Sequence, residues 1–242
     1  MVVSACGMTH AGLRRGDNED FFLMEEEVGL FAVADGLGGE PGGEIASRAA
    51  AESVGAYFAQ LRRRQPRLVT SKMIDAAVDR AHKAVVDAAR SVAGGRAGTT
   101  LVFALRQPSY FWVANVGDSR CYLVRDGAAV PVTQDHSLVA RMVEKGKITP
   151  EEARVHPLRN IVTRSLGIDI GGGCHKKRLA VRQGDRLILC SDGLWEMLTD
   201  AEIGAIAAGA RDVKRVCTDL IDAANAAGGR DNVTVVALFL GT

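Results

Sequence analysis

The chain has no CxxC pair, no paired histidines, almost no net charge and no apolar run near the ~18 residues that would suggest a bilayer span. Each absence removes a class of function. The five cysteines, Cys6, Cys121, Cys174, Cys190 and Cys217, are odd in number and far apart, which excludes a disulfide framework or a zinc cage and suggests reduced, mostly buried thiols in a cytoplasmic protein. The five histidines, His10, His82, His136, His156 and His175, lack the spacing of a metal-ligand pair, and His82, off the apolar face of its helix, is expected to be solvated. Thirty basic against 29 acidic residues leave a net charge of +1, which argues against nucleic acid or a membrane surface as a partner. The clusters "LRRRQPR" (61–67) and "HKKR" (175–178) read as a solvated helix end and a loop. The opening "MVVSACGMTH" has neither a basic n-region nor a long apolar stretch, so no signal peptide is expected.

What the chain does have is a 47% hydrophobic content, ample for a full core without staples. Six runs rich in β-branched and aromatic residues read as strands: 29–35, 100–106, 109–118, 120–127, 185–192 and 232–240. Between 42 and 62 the period changes, with Ala46, Ala50, Val54, Phe58 and Leu61 on one helical face; Ile74, Val78, Ala81, Val85 and Ala89 repeat the pattern over 71–92. A third helix spans 211–228 and closes on Gly228. Strands arriving in runs, rather than alternating singly with helices, disfavour a doubly wound sheet and favour two packed sheets with helices outside. Residues 134–167 are less apolar and read as a surface flap, with a helix starting at Thr149-Pro150. With no repeat, linker or composition break, residues 1–242 read as a single domain.

The run "FAVADGLGGEPGGE" (31–44) leads from an apolar strand through Asp35 into five glycines. A dinucleotide fingerprint would need a third glycine where Pro41 stands, and a phosphate-binding P-loop would need a lysine where Glu44 stands. An acid at that position repels a phosphate held by a helix N-terminus, so the nucleotide reading fails. The carboxylates suggest another. Apolar strands end at Asp35-Gly36, Gly117-Asp118 and Asp192-Gly193, and Asp231 opens the last one. Any one Asp-Gly pair suits a turn. Four carboxylates brought to one rim, however, repel unless they are protonated or share cations, and hard oxygen ligands suit Mg²⁺ or Mn²⁺. "LRRGDNED" (13–20) adds Glu19 and Asp20, with Arg14 and Arg15 upstream as candidates for gripping a phosphate dianion.

"RGDNED", "VADGLGG", "GTTL", "NVGDSR", "LRNIVTRSLG", "LCSDGLWEML" and "GGRDNVTVV" follow one another in an order that resembles the metal-dependent protein serine/threonine phosphatases, the PPM or PP2C family. The motifs cover residues 15–236, and the short chain resembles the stand-alone bacterial members. The resemblance implies an α+β fold, a four-layer α-β-β-α sandwich of two antiparallel sheets flanked by helices. It further implies that Asp35 bridges two metals, the Gly36 carbonyl binds one, and Asp192 and Asp231 complete the first. Glu19 and Asp20 would act directly or through water, and Asp118 with Asp192 would hold a third, weaker ion. Arg15 matches the phosphate-binding arginine, and the glycines would keep the approach open. Segment 136–165 matches the family's variable flap, near where substrate proteins dock. Animal members often carry a histidine after the Asp-Gly, proposed as general acid; Leu37 stands there in this chain.

The expected activity is hydrolysis of phosphoserine and phosphothreonine on proteins, by a hydroxide bridging two Mn²⁺ or Mg²⁺ ions, without a cysteine nucleophile. A dead binding module on the same fold ranks lower, since no ligand position is lost. A sensor-linked regulator also ranks lower, since the chain has no room for sensor domains. The expected setting is that of a cytoplasmic monomer opposing a serine/threonine kinase, with a forkhead-associated protein as one possible substrate, in some relatives within type VI secretion control.

Overall fold

The computed structural model describes residues 2–37, 42–64, 68–91 and 96–241. Its strands are β1 (Val2–His10), β2 (Phe21–Glu25), β3 (Leu30–Ala34), β4 (Gly36–Leu37), β5 (Gly98–Thr99), β6 (Leu101–Arg106), β7 (Tyr110–Val116), β8 (Arg120–Arg125), β9 (Ala128–Pro131), β10 (His175–Ala180), β11 (Arg186–Cys190) and β12 (Val233–Gly241). The helices are α1 (Gly42–Arg64), α2 (Ser71–Ala89), α3 (Leu138–Glu144), α4 (Pro150–Val155), α5 (Asp192–Trp195), α6 (Asp200–Gly209) and α7 (Val213–Ala226).

Two five-stranded sheets, ordered β1-β12-β11-β8-β9 and β10-β7-β6-β3-β2, form from antiparallel pairs. The side-chain alternation of a strand explains the layers. In β3, Phe31 and Val33 face the core between the sheets, while Leu30, Ala32 and Ala34 face α1 and α2. In β11, Leu187 and Leu189 enter the inter-sheet core, while Ile188 and Cys190 turn outward under α6 and α7. Because both faces of each sheet are covered, these strands read as unbroken apolar runs. The four-layer sandwich is as expected.

The six sequence-read strands correspond to β3, β6, β7, β8, β11 and β12, and the three long helices to α1, α2 and α7. Thr149 caps α4 through a reciprocal pair of bonds with Glu152, on the expected boundary. Strands β1, β2, β4, β5, β9 and β10 were not expected. "HKKR" is the start of edge strand β10, not a loop. Its charges hid it: Leu179 enters the core, whereas Lys176 pairs with Asp75 and Arg178 lies over Tyr110. Such charge on a sheet edge discourages pairing with another chain. His82 is likewise not simply solvated, since its Nδ1 accepts the Gly167 N–H at 3.1 Å. Of "LRRRQPR", residues 61–64 finish α1 and 65–67 lie outside the described residues.

Strand direction positions the site. β3 and β7 are each antiparallel to β6, so Asp35 and Asp118 leave the same rim of their sheet. β11 and β12 are antiparallel neighbours, so the exit at Asp192 and the entry at Asp231 share one end of theirs.

Candidate metal centre

Asp35 sits where β3 stops, and the two threonines of "GTTL" hold its backbone. The Asp35 carbonyl accepts from Thr99 Oγ1 and from the Thr100 N–H, both at 2.8 Å, while the Asp35 N–H donates to Thr100 Oγ1 at 3.1 Å. Thr100 Oγ1 also bonds Ser119 Oγ at 2.7 Å, which ties the Asp35 turn to the turn carrying Asp118. No role was read for "GTTL" from the sequence; two hydroxyls next to an aspartate-bearing strand were the available signal.

Glu19 and Asp20 come from the loop between β1 and β2, which Asn232 organises. Asn232 Nδ2 donates to the carbonyls of Ala11 and Asp17 at 3.0 and 2.8 Å, and its Oδ1 accepts the Glu19 N–H at 2.9 Å. Ser47 Oγ, from α1, donates to the Glu19 carbonyl at 2.6 Å. Asp20 is buried; its Oδ2 accepts from Ser191 Oγ at 2.7 Å, and its Oδ1 has no partner. Asn232 follows Asp231 in the chain and was missed as an organising residue.

The glycines act otherwise than expected. A Cβ at Gly36 would collide with the Gly43 carbonyl and come within 2.8 Å of the Glu19 carbonyl oxygen, and one at Gly43 would press on the Glu19 carboxylate. These two glycines let β3, the start of α1 and the Glu19 loop close on each other; they do not clear space. Gly38, Gly39 and Pro41 lie outside the described residues.

Electrostatically the rim is frustrated. Burial, then the charges of Asp192, Asp20, Asp118 and Asp231, push the Asp35 carboxyl well above the usual range. Burial, then Asp118 and Asp231, do the same to Asp192. Burial raises Asp118 to about 7, with Asp135 adding and Arg120 opposing, and raises Asp20 to about 6 against the Ser191 hydrogen bond. Arg15 is the cation that meets this group: its Nη2 lies 2.8 Å from Asp231 Oδ2, with both side chains partly exposed. Arg14, one residue away, is exposed.

Every sequence-read site residue therefore reaches this rim. Among the described residues, no three acidic, histidine or cysteine side chains close tightly enough to cage an ion by themselves. The orphaned Asp20 Oδ1, the all-oxygen donor set and the carboxyls raised by mutual repulsion all fit divalent cations.

Two contacts fasten the flap beside the centre. Arg154 of α4 donates to the carbonyls of Trp195 and Leu198 at 3.2 and 3.1 Å, and Arg159 pairs with Glu196 at 3.4 Å. A polar cavity of about 440 Å³, lined in part by His136, Arg141 and Arg164, opens at the flap base.

Comparison with known proteins agrees with this reading. The family model described as protein phosphatase 2C matches residues 7–234. The serine/threonine phosphatase stp of Listeria innocua is 34% identical over 236 residues, covering 94% of this chain and 92% of its own. The Mycobacterium tuberculosis serine/threonine phosphatase PstP superposes with a TM-score of 0.87 at 34% identity over the whole of both chains, and a PstP catalytic domain in complex with two manganese ions superposes at 0.84 and 33%. PppA of Pseudomonas aeruginosa, described as a key regulatory component of the type VI secretion system, superposes at 0.80 with 27% identity over 99% of this chain and 98% of its own. With the oxygen-lined rim and the sandwich that builds it, these likenesses leave one assignment: the chain belongs to the protein phosphatase 2C family and is a protein serine/threonine phosphatase.

Proposed function

We propose that Asp35, the Gly36 carbonyl, Asp192 and Asp231 hold two divalent cations, Mn²⁺ or Mg²⁺, with Glu19 and Asp20 acting directly or through water. Asp118 with Asp192 holds a third, weaker ion. The observation that carries this reading is the set of carboxyls, Asp20 and Asp118 buried and Asp35 and Asp192 half-buried, raised by desolvation and by one another, with an unsatisfied Asp20 oxygen among them. When bound, the ions supply an acidified water as nucleophile and positive charge against the phosphoryl oxygens.

The chain's own residues bind and orient. Arg15 grips the phosphoryl group; its partly exposed bond to Asp231 is weak enough to exchange for a substrate dianion. Leu37 cannot hand a proton to the leaving oxygen, so that proton comes from elsewhere. Phosphoserine and phosphothreonine proteins are the substrates, entering beside the flap. The likeness to PppA supports a setting in type VI secretion control; we further propose that this protein, as a monomer, opposes a serine/threonine kinase, with a forkhead-associated protein as the substrate to test first. Among the described residues no helix is long and apolar enough to cross a membrane.

Hydrolysis of p-nitrophenyl phosphate and phosphothreonine peptides should require Mn²⁺ or Mg²⁺, stop with EDTA and ignore iodoacetamide. Cysteine chemistry is disfavoured because burial raises the Cys121 thiol to about 12 and Cys190 further. Activity that survives chelation and dies on alkylation would overturn the metal reading.

Arg15→Ala should raise KM and also lower kcat, because a bidentate grip tightens as phosphoryl charge redistributes. Arg14→Ala should change neither. Equal losses in steady-state kinetics of the two variants would replace the specific clamp with general electrostatics.

A further inference from the structure

Trp195 ends the short helix that begins with Asp192. Its indole Nε1–H donates to the backbone carbonyl of Asp118 at 3.0 Å, in a buried contact across 77 positions of sequence. We propose that Trp195 is a positioning residue for the metal centre: by fixing the Asp118 peptide to the helix that carries Asp192, it aims the Asp118 carboxylate. The inference rests on the assignment of Asp118 as a cation ligand.

The Asp118 carboxyl has little else to steer it. Among the described residues no side chain donates a hydrogen bond to its carboxylate, while its backbone carbonyl is held by the Trp195 indole. Where it points therefore follows the orientation of its peptide, which leaves Gly117 at a φ of 94°. A Cβ at Gly117 would strike Thr100, so the turn is closely packed on one side; the indole N–H holds the other.

The indole is itself held. The Arg120 guanidinium lies 3.7 Å from the Trp195 ring centroid, a cation stacked on an aromatic face. Arg120 cannot swing away, because Nε and Nη2 bond Asp135 at 3.0 and 2.6 Å and Nη1 donates to Tyr122 Oη at 2.9 Å. Tyr122 Oη in turn donates to Asp200 at 3.1 Å. From the flap, Arg154 binds the Trp195 carbonyl. One residue thus joins the Asp118 turn, the Asp192 helix and, through its backbone carbonyl, the base of the flap. A buried indole N–H takes an acceptor in any case, as that of Trp112 takes the Val69 carbonyl at 2.9 Å; what sets Trp195 apart is that its acceptor is the Asp118 peptide and that a fixed arginine stacks on its ring.

Trp195→Phe keeps the ring and its place beneath Arg120 but loses the N–H. Calorimetric titration with Mn²⁺ should show the weakest binding step loosened by about 10-fold, the usual scale for removing a support of a metal ligand, with the tight steps kept. kcat on a phosphothreonine peptide should fall more than on p-nitrophenyl phosphate, whose phenolate leaves without help, and peptide KM should hold. A variant with wild-type metal binding and kcat but a lower melting temperature would make Trp195 a core filler and overturn the proposal. Should the variant not fold, the wild-type protein still decides. The Trp195 indole ¹⁵N–¹H resonance, told from Trp112 with Trp112→Phe, should move as Mg²⁺ fills the weak step, and a resonance that stays still overturns the proposal. If the wild type binds no Mn²⁺ at all, the metal assignment has failed, a result distinct from metal binding to which Trp195 is indifferent.

Discussion

Asp35→Asn and Asp192→Asn should each lower turnover by at least ~10²-fold, about 2.7 kcal/mol of barrier, at saturating Mn²⁺. Both side chains are half-buried among other carboxylates, and each neutral amide removes charge from the centre that makes the nucleophile. The same substitutions should raise the melting temperature in EDTA. In the folded protein the Asp35 and Asp192 carboxyls keep their protons to higher pH than they do unfolded. For such raised groups, folding stability is lost as pH climbs from the unfolded value through the folded one. Near neutral pH without metal they therefore burden the fold, and asparagine lifts that burden. Opposite signs for activity and metal-free stability are the expected outcome, read from kcat and from thermal melts with and without chelator. Loss of both together would mean general misfolding, and retention of activity within a few-fold would remove that residue from the ligand set.

Gly193→Ala should be nearly as damaging by a different route. A Cβ there would run into the Asn232 carbonyl, with the carbonyl carbon at 2.9 Å and the Val233 Cα at 3.4 Å. The obstacle is backbone at the start of β12, which cannot rotate aside as a side chain would. Gly193 is not at positive φ, so alanine suits its conformation, and the cost comes from the collision alone. Relief requires α5 and β12 to part, which separates Asp192 from Asp231 and disturbs the loop that Asn232 holds. Overpacking of this kind costs on the order of 1–3 kcal/mol, several degrees of melting temperature for a chain of this size. A loss of metal affinity in calorimetry should accompany it. Gly209→Ala, at the end of α6 with nothing within 4 Å of the added carbon, is the control and should leave both quantities as they were. Gly193→Ala with wild-type melting and metal binding would show that the contact between α5 and β12 can open without consequence.

The sequence by itself determined what each segment can be. The apolar runs of β3, β7, β11 and β12, rich in β-branched and aromatic residues, mark strands, the 3.6-residue period of α1, α2 and α7 marks helices, and the aspartates at the strand ends mark an oxygen-ligand site. These signals were legible because each is written in neighbouring residues. Six strands escaped the reading for the same reason. β10 begins with four charged or ionisable residues in a row and is a strand only because β7 offers it a partner. Only the tertiary structure decided which groups meet. The hydroxyls of "GTTL" hold Asp35, Asn232 gathers the loop bearing Glu19, and Trp195 reaches Asp118 across the sandwich. Gly36 and Gly43, which read as cleared space, are small because backbones close against them. Composition and period describe the faces of an element. Which rim of one sheet lies against which rim of the other depends on how the faces of all of them pack together.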